Sequence, residues 1–281
     1  MKIILTGGTG YLGSHLVQSR LAQGDELACI VRDAAALKRL EPYKNQVTLI
    51  ETCEKGSMRE QIETFAPEVV LHTACTYDRG GNTIESVLSG NLFFPLEILR
   101  IVSELGAVRW INTDTCLPAS LNAYALAKSQ FVQWGQFYAN LGKIDFINLK
   151  LEHFYGPNEP ENHFIGWVIR KLKAHEPLDL TAGTQKRDFI YLQDVLEIIN
   201  QVIEIPIQAP FFEIPVGTGI MPTIREVVEY ISSITHSKSE LRFGAIPSRK
   251  NEPDSCCDTT VLRQLHMLPH ILWRDGLKMC V

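Results

Sequence analysis

Tyr124 and Lys128 have side chains that are suited to proton transfer, and they form a Tyr-x-x-x-Lys pair. Four residues is about one helical turn, so both side chains lie on one face of a helix. A phenol with an ordinary pKa near 10 is a poor acid or base at neutral pH, and a nearby ammonium lowers that pKa because it favours the phenolate. The pair therefore predicts acid–base chemistry by Tyr124, assisted by Lys128.

A polar segment at 112–115, Asn-Thr-Asp-Thr, follows an apolar run that is typical of a strand. The carboxyl end of a strand is where an open α/β sheet builds its site. A hydroxyl group there is able to hydrogen-bond a substrate oxygen beside Tyr124. Thr113 is the first choice for this third catalytic residue, and Thr115 is the second.

Three glycines at a spacing of three, Gly7, Gly10 and Gly13, come directly after the first apolar run. Gly7 permits a tight turn, Gly10 lets the backbone approach a pyrophosphate, and Gly13 lets the next helix pack closely. The helix N-terminus adds N–H groups and a partial positive charge for the phosphates. The loop predicts dinucleotide binding by these residues: Gly7, Thr9, Gly10, Tyr11 and Leu12.

The end of the second apolar run bears on the choice of dinucleotide. A site that prefers NAD places Asp or Glu there to bind the adenosine ribose, but this chain has Val31 followed by Arg32. A guanidinium is able to bind a 2′-phosphate with paired hydrogen bonds. The sequence therefore favours NADP(H), with Arg32 as its ligand. NAD(H) stays possible, because a shift of one residue would let Asp33 accept from the ribose.

The elements that must position these residues alternate along the first half of the chain. Apolar runs without polar alternation are typical of strands that are covered by helices on both faces, and they occur at 3–6, 27–31, 47–50, 69–72, 110–113 and 146–149. Helical patterns lie between them at 14–23, 84–105 and 123–141, with a kink expected at Pro95. This alternation predicts an α/β fold with a doubly wound parallel sheet.

The alternation of strand-like and helical patterns becomes less regular after residue 150. Helices are expected at 164–174, 192–203 and 224–231, with a strand at 212–216. We expect a dinucleotide-binding domain over 1–151, to which segments near 187–217 return, and a smaller α/β substrate lobe over 152–281.

Composition excludes several classes of protein. The net charge of −5 and the absence of clustered Lys and Arg argue against nucleic-acid binding. No run of 18 apolar residues or signal peptide is present, so we expect a cytoplasmic protein without a membrane segment. The seven cysteines include no CxxC spacing, so neither a zinc site nor any other metal site is expected.

The loop TGGTGYLG at 6–13, the Tyr124/Lys128 pair and Thr113 together resemble the extended short-chain dehydrogenase/reductases, the NAD-dependent epimerase/dehydratase family with a Rossmann domain. Further matches are YGP at 155–157 and RDFIY at 187–191. The resemblance implies that the cofactor also contacts Tyr124, Lys128 and four more residues: His72, Thr73, Ala74 and Asn91. It implies substrate contacts by Asp114, Glu152 and His153, and diphosphate binding by Arg187 and Arg249.

Departures from the family pattern narrow the implied reaction. Dehydratases of the family carry Asp-Glu after the threonine at the strand end, whereas Thr115 follows Asp114 here. The segments at 150–157, 161–165 and 243–246 are most similar to 4-reductases of CDP-4-dehydro-6-deoxy sugars, which act in O-antigen dideoxysugar pathways. The resemblance thus implies reduction of a nucleotide-linked 4-keto sugar with NADPH. An NAD-dependent 4-epimerase and a non-catalytic regulator are the alternatives, and a homodimer built from the two long helices is possible.

Overall fold

A computed structural model describes residues 1–32, 37–52, 57–106, 108–206, 209–248 and 253–281. The chain divides into two compact units, the first being Met1–Lys150 with Ile199–Ile214 and the second Leu151–Ile198 with Pro215–Val281. The returning segment, 199–214, is shorter than the expected 187–217. Among the described residues, no helix is long and apolar enough to cross a membrane.

The strands, in chain order, are β1 (Lys2–Thr6), β2 (Glu26–Val31), β3 (Val47–Glu51), β4 (Val69–His72), β5 (Val108–Thr115), β6 (Ile144–Leu151), β7 (His153–Tyr155), β8 (Leu178–Leu180), β9 (Phe189–Tyr191), β10 (Phe211–Val216) and β11 (Leu241–Phe243). The α-helices are α1 (Tyr11–Ala22), α2 (Ser57–Phe65), α3 (Ile84–Leu88), α4 (Phe94–Val102), α5 (Ala123–Asn140), α6 (Phe164–Lys173), α7 (Leu192–Glu204), α8 (Ile224–Ile234), α9 (Thr260–Gln264) and α10 (Trp273–Cys280).

The main sheet has the strand order β10-β6-β5-β4-β1-β2-β3. The strands from β3 to β5 pair in parallel, with Thr6 opposite both Ile30 and His72. The side chains of Ile3, Ile4 and Leu5 are fully buried, as expected for a strand covered on both faces. The predicted doubly wound sheet is confirmed, and its parallel strands bring their carboxyl ends to one edge.

The turn from β1 to α1 depends on close backbone approaches. Gly7 has a φ of +75°, and a Cβ there would lie 2.6 Å from the Ala74 nitrogen. A Cβ at Gly13 would lie only 2.1 Å from the Gly7 carbonyl oxygen. Helix α1 therefore begins at Tyr11, three residues earlier than predicted, and its first turn packs directly on the glycine loop.

The helix predicted over 84–105 is divided. A π-helical turn at Ser89–Phe93 separates α3 from α4, and α4 ends at Val102. Pro95 lies in the first turn of α4, where its missing N–H costs no helical hydrogen bond. The predicted proline kink is therefore replaced by a wider turn just before the proline. Such single π-turns are frequent at functional sites.

Helix α5 carries Tyr124 and Lys128 and is fixed at both its start and its middle. The side chain of Asn122 caps the helix by accepting from the Ala125 N–H at 2.8 Å. Gly135 lies against the Phe146 ring on β6, where a Cβ would come within 2.2 Å of two ring carbons. This close packing sets the height of α5 over the sheet.

The second unit contains two small parallel sheets, β7 with β9 and β8 with β11. Its core includes Tyr155, Phe189 and Trp273. The buried Tyr155 hydroxyl donates to the Trp273 carbonyl oxygen at 2.8 Å, so the polar end of this core tyrosine is satisfied.

We predict that Gly135→Ala destabilises the protein, although alanine favours a helix over glycine by about 1 kcal/mol. The Phe146 ring is fully buried and stacks on Trp110 and Phe211, so it has no room to move. Overpacking of this kind costs about 1–3 kcal/mol. Denaturant unfolding should give a lower free energy of unfolding than for wild type. Gln136→Ala, at an exposed neighbouring position, is the control, and equal stability of the two variants would contradict the packing argument.

Candidate active site

Lys128 lies inside the protein, and its ammonium points to the carboxyl end of β5. The side chain is almost fully buried, and Nζ donates to the Thr113 carbonyl oxygen at 2.5 Å. A buried charge is tolerated only where polar partners compensate for lost hydration. The structure thus brings together Lys128 and Thr113, two of the three predicted catalytic residues.

Tyr124 lies in the first turn of α5, one turn before Lys128. Its ring packs against that of Tyr77, with centroids 5.1 Å apart, and the Arg79 guanidinium lies 4.4 Å above the Tyr77 ring centroid. Tyr77 belongs to the loop after β4, and sequence reasoning missed it. The signal was weak, because a single aromatic residue in a polar loop has no periodicity.

The ionisation of Tyr124 differs from the sequence prediction. Burial raises the pKa of the Tyr124 phenol well above its ordinary value, and the nearby Cys75, Tyr77, Asp114 and Cys116 add to the shift. Burial also lowers the pKa of Lys128, while Asp114 opposes that change. The expected lowering of the Tyr124 pKa by Lys128 does not occur in the protein alone, because desolvation disfavours the phenolate. Tyr124 is therefore a protonated phenol at neutral pH.

The two candidate threonines differ in their surroundings. The Thr113 hydroxyl is buried and donates to the His72 carbonyl oxygen at 3.0 Å, which leaves its lone pairs available. The Thr115 hydroxyl accepts from the Leu117 N–H at 3.2 Å, within the turn that follows β5. Thr113 is thus tied to the sheet edge, whereas Thr115 is tied to the turn.

The predicted cofactor residue Asn91 lies in the π-helical turn and is fully buried. Its Oδ1 accepts from the Thr76 N–H, and its Nδ2 donates to the carbonyl oxygens of Thr76 and Val87. Both amide protons are thereby used inside the protein. A Cβ at Gly90 would lie 2.2 Å from Thr76 Oγ1. Asn91 and Gly90 therefore anchor the loop that carries Tyr77, and cofactor contact by Asn91 stays a prediction.

The glycine loop fits the phosphates of a dinucleotide. Gly10 is the N-cap of α1, no side chain caps the helix, and its first turn holds no acidic residue. Among the described residues, a Cβ at Gly10 would come within 4 Å of the Gly7 carbonyl oxygen alone, at 3.1 Å. The Arg39 guanidinium lies 5.3 Å from the Tyr11 ring centroid and adds a cation that sequence reasoning missed.

The other predicted cofactor residues lie along the same sheet edge. Thr73 Oγ1 donates to the Thr6 carbonyl oxygen at 2.8 Å, and Thr73 and Ala74 both line the back of the glycine loop. His72 is fully buried instead, with its ring close to those of Trp110 and Phe131. Burial and the nearby Lys128 ammonium hold the pKa of His72 well below its ordinary value. Arg32 is exposed directly after β2.

The second unit holds three of the predicted substrate residues. Glu152 is buried, and its Oε2 lies 3.6 Å from Nδ1 of His153. Arg187 is also buried, and its Nη1 donates to the carbonyl oxygens of Lys186 and Pro253 at 2.7 and 2.6 Å. Arg249 falls outside the described residues.

Asp188, which was not singled out from the sequence, organises the surroundings of these residues. Its buried carboxylate accepts from the N–H groups of Thr218, Gly219 and Cys257 and from the Thr218 hydroxyl, at 2.6–3.1 Å. A Cβ at Gly217 would lie 2.8 Å from both Asp188 Oδ2 and Glu152 Cγ. The four hydrogen bonds satisfy the charge and fix the loop around Gly217.

Comparison with known proteins finds relatives that match most or nearly all of this chain at 22–30% identity. CDP-abequose synthase of Salmonella muenchen is 30% identical over 290 residues, which cover 99% of this chain and 96% of that protein. CDP-abequose synthase of Yersinia pseudotuberculosis is 26% identical, over 87% of this chain and 88% of that protein. The UDP-N-acetyl-alpha-D-glucosaminuronate decarboxylase of Bacillus cytotoxicus is 22% identical, over 99% of this chain and 95% of that protein.

Solved structures share the fold. UDP-glucuronic acid 4-epimerase from Bacillus cereus, in complex with UDP-glucuronic acid and NAD, superposes with a TM-score of 0.88 at 20% identity, covering 99% of this chain and 97% of that chain. UDP-glucose 4-epimerase from Thermotoga maritima gives a TM-score of 0.86 at 20% identity, with the same coverage. Residues 3–210 match the sequence model of the NAD dependent epimerase/dehydratase family. The chain has a Rossmann-like fold, and it belongs to this family of enzymes.

Proposed function

We propose that this protein is an NADPH-dependent reductase of the C4 carbonyl group of a nucleotide-linked 4-dehydro-6-deoxyhexose, with a CDP-sugar as the substrate. The observation that carries the proposal is a protonated, half-buried Tyr124 one helical turn from Lys128, whose ammonium is bonded to the Thr113 carbonyl oxygen. Full-length similarity to CDP-abequose synthases supports the choice of sugar nucleotide. Such a reaction is a step in the biosynthesis of deoxysugars for O-antigens.

The residues of this chain handle the proton and the orientation of the substrate. A bound dinucleotide would supply the hydride for reduction. Tyr124 donates its proton to the oxygen of the reduced carbonyl, and its raised pKa keeps that proton in place until it is needed. Thr113 orients the same oxygen, and Lys128 fixes the strand end on which Thr113 lies.

The predicted substrate residues divide by charge. Arg187 and Arg249 offer guanidinium groups, which suit a diphosphate because of their paired donors. Glu152 and His153 offer an acceptor and a donor for hexose hydroxyl groups. We assign the nucleotide diphosphate to the first pair and the hexose to the second pair.

The residue that follows β2 bears on the choice between NADP(H) and NAD(H). We assign NADP(H) as the preferred cofactor because Arg32 stands where an acidic residue would bind the adenosine ribose. Arg39, beside Tyr11 at the start of α1, adds a second guanidinium near the glycine loop. NAD(H) is the alternative cofactor.

We predict that Tyr124→Phe lowers kcat by about 10²–10⁴-fold, since positioned proton transfer contributes that much, while NADPH binding is unchanged. The assay offers CDP-, UDP-, GDP- and dTDP-4-keto-6-deoxy sugars with NADPH and follows NADPH absorbance.

The wild-type protein should act best on the CDP-sugar. Its rate should not decline with rising pH across the neutral range, about pH 6–8, because the acid form of Tyr124 is the active one and its pKa is raised.

Tyr138→Phe, on the same helix, removes a phenolic hydroxyl outside the site and is the control. Retention of most of the reduction rate by Tyr124→Phe would overturn the mechanism. Interconversion of two nucleotide sugars without consumption of NADPH would identify a 4-epimerase instead. Dinucleotide binding without turnover of any sugar would favour the regulatory alternative.

We also predict that Arg32→Ala weakens the binding of NADPH about ten- to a hundredfold and leaves the binding of NADH nearly unchanged. A hydrogen bond to a charged group is worth about 1.5–3 kcal/mol, and only NADPH carries the extra phosphate. The measurement is the KM of each cofactor. Arg100→Ala, which removes an exposed guanidinium on α4, should change neither KM. Equal losses for both cofactors would remove Arg32 from the phosphate site.

We propose further that the protein is a homodimer that pairs through α5. Along α5, Ala127 and Phe131 are buried, whereas Trp134 and the C-cap residue Leu141 are exposed. Phe137 is 52% exposed, and its ring contacts that of Trp134. Large exposed apolar side chains in one patch mark an interaction surface. A second copy of the same face is the occupant that a symmetric dimer provides.

Phe137→Lys should convert the protein from dimer to monomer, because it places a charge in the centre of the apolar patch. Light scattering after size-exclusion chromatography measures the mass. Met279→Lys introduces the same charge at an equally exposed apolar residue of α10 and should leave the dimer intact. A monomeric wild-type protein at micromolar concentration would refute the dimer.

A further inference from the structure

Two asparagines lie side by side within the apolar strands β5 and β6. Asn112 and Asn148 are both fully buried, and Asn112 Nδ2 donates to Asn148 Oδ1 at 2.8 Å. A buried amide is costly unless its hydrogen-bonding groups are used. The bond also fixes the direction of the Asn148 amide, because its oxygen faces Asn112 and its NH₂ group must face the other way.

The Asn148 NH₂ group meets two carboxylates. Nδ2 donates to Asp114 Oδ2 at 3.2 Å and to Glu213 Oε2 at 3.0 Å, on β5 and β10 respectively. The Lys150 ammonium lies 3.8 Å from Glu213 Oε1 and offsets part of the negative charge. One amide thus joins three strands of the sheet and holds Asp114 in a single orientation.

Asp114 is held next to the catalytic pair. It directly follows Thr113, whose carbonyl oxygen accepts from Lys128 Nζ. Its Oδ1 is buried and, within the described part of the chain, has no hydrogen-bond partner. The carboxylate interacts electrostatically with both Lys128 and Tyr124. A carboxylate that is only partly hydrogen-bonded in a buried site is costly, and the nearby ammonium offsets that cost.

We propose that Asn148 is a positioning residue of the active site, which holds Asp114 beside Tyr124 and Lys128 so that the carboxylate stabilises the buried ammonium. The same negative charge favours the phenol over the phenolate at Tyr124. The site is thereby kept in its proton-donating state, which a reduction requires. The turnover part of this inference depends on the proposed function, whereas the electrostatic part depends only on the geometry.

Other groups also face Tyr124. Cys75 and Tyr77 follow β4, and Cys116 follows β5, while Lys128 lies one turn along α5. Thiols and phenols are mostly uncharged at neutral pH, so Asp114 is the lasting negative charge in this set. Its removal should therefore change the ionisation of the Tyr124/Lys128 pair more than the loss of either thiol.

The test is a double-mutant cycle with Asn148→Leu and Asp114→Asn. The first variant removes the amide at similar volume, and the second removes the charge at the same shape. In Asp114→Asn, the pH above which reduction declines should fall by about 0.5–1 unit, because loss of the negative charge lowers the pKa of both Tyr124 and Lys128. In Asn148→Leu it should shift in the same direction, because the Asp114 carboxylate loses the amide donor that holds it beside the pair. The double variant should show no larger shift, since Asn148 acts through Asp114.

A second readout needs no substrate. The alkaline absorbance titration of tyrosine, taken as the difference between each protein and its Tyr124→Phe counterpart, reports Tyr124 directly over the pH range in which circular dichroism shows an intact fold. Both single variants should shift this titration to lower pH. If no sugar is reduced by the wild type, the proposed function fails, and this titration still decides the role of Asn148.

Asn200→Leu is the matched control, because the Asn200 amide also makes two side-chain hydrogen bonds, to Ser19 and Arg20. It should leave both readouts unchanged. An unshifted pH limit and titration in Asp114→Asn would overturn the proposal, as would additive shifts in the double variant. If Asn148→Leu fails to fold, Asn148→Ser replaces it, and Asp114→Asn remains decisive.

Discussion

The hydrogen bond from the Lys128 ammonium to the Thr113 carbonyl oxygen joins helix α5 to the end of β5, and the candidate active site depends on it. An ammonium inside a protein must find acceptors that replace water. The Thr113 carbonyl oxygen, near the end of β5, is such an acceptor. The bond holds the part of α5 that also carries Tyr124, one turn away, and desolvation raises the pKa of the Tyr124 phenol so that it keeps its proton.

Three further contacts that position the site are close approaches that only glycine permits. Gly13 lets α1 meet the Gly7 carbonyl, Gly135 lets α5 meet Phe146, and Gly90 lets the loop with Tyr77 meet the π-helical turn. Each contact would place a Cβ within 2.2 Å of another heavy atom. Different parts of the site are therefore positioned by the same physical device. A side chain at any of them must displace the backbone at Gly7, the Phe146 ring or the Thr76 side chain.

Buried polar groups set the charge of the site. Asn112 and Asn148 direct Asp114 toward the catalytic pair, and in the second unit Asp188 is satisfied by four hydrogen bonds. Low dielectric surroundings strengthen such bonds and make an unpartnered group expensive. Desolvation also accounts for the raised pKa of Tyr124, because it disfavours the phenolate.

The features that depend on local spacing could be predicted from the sequence. Gly7, Gly10 and Gly13 predict the turn and the start of the helix, apolar runs predict the parallel sheet, and a four-residue interval places Tyr124 and Lys128 on one helical face. Tertiary structure alone decided the contact of Tyr77 with Tyr124, the chain from Asn112 through Asn148 to Glu213, and the direction of the Tyr124 pKa. These features join residues that are distant along the chain. Hydrogen-bond partners and desolvation depend on which elements pack together, and no periodicity in the sequence records that packing.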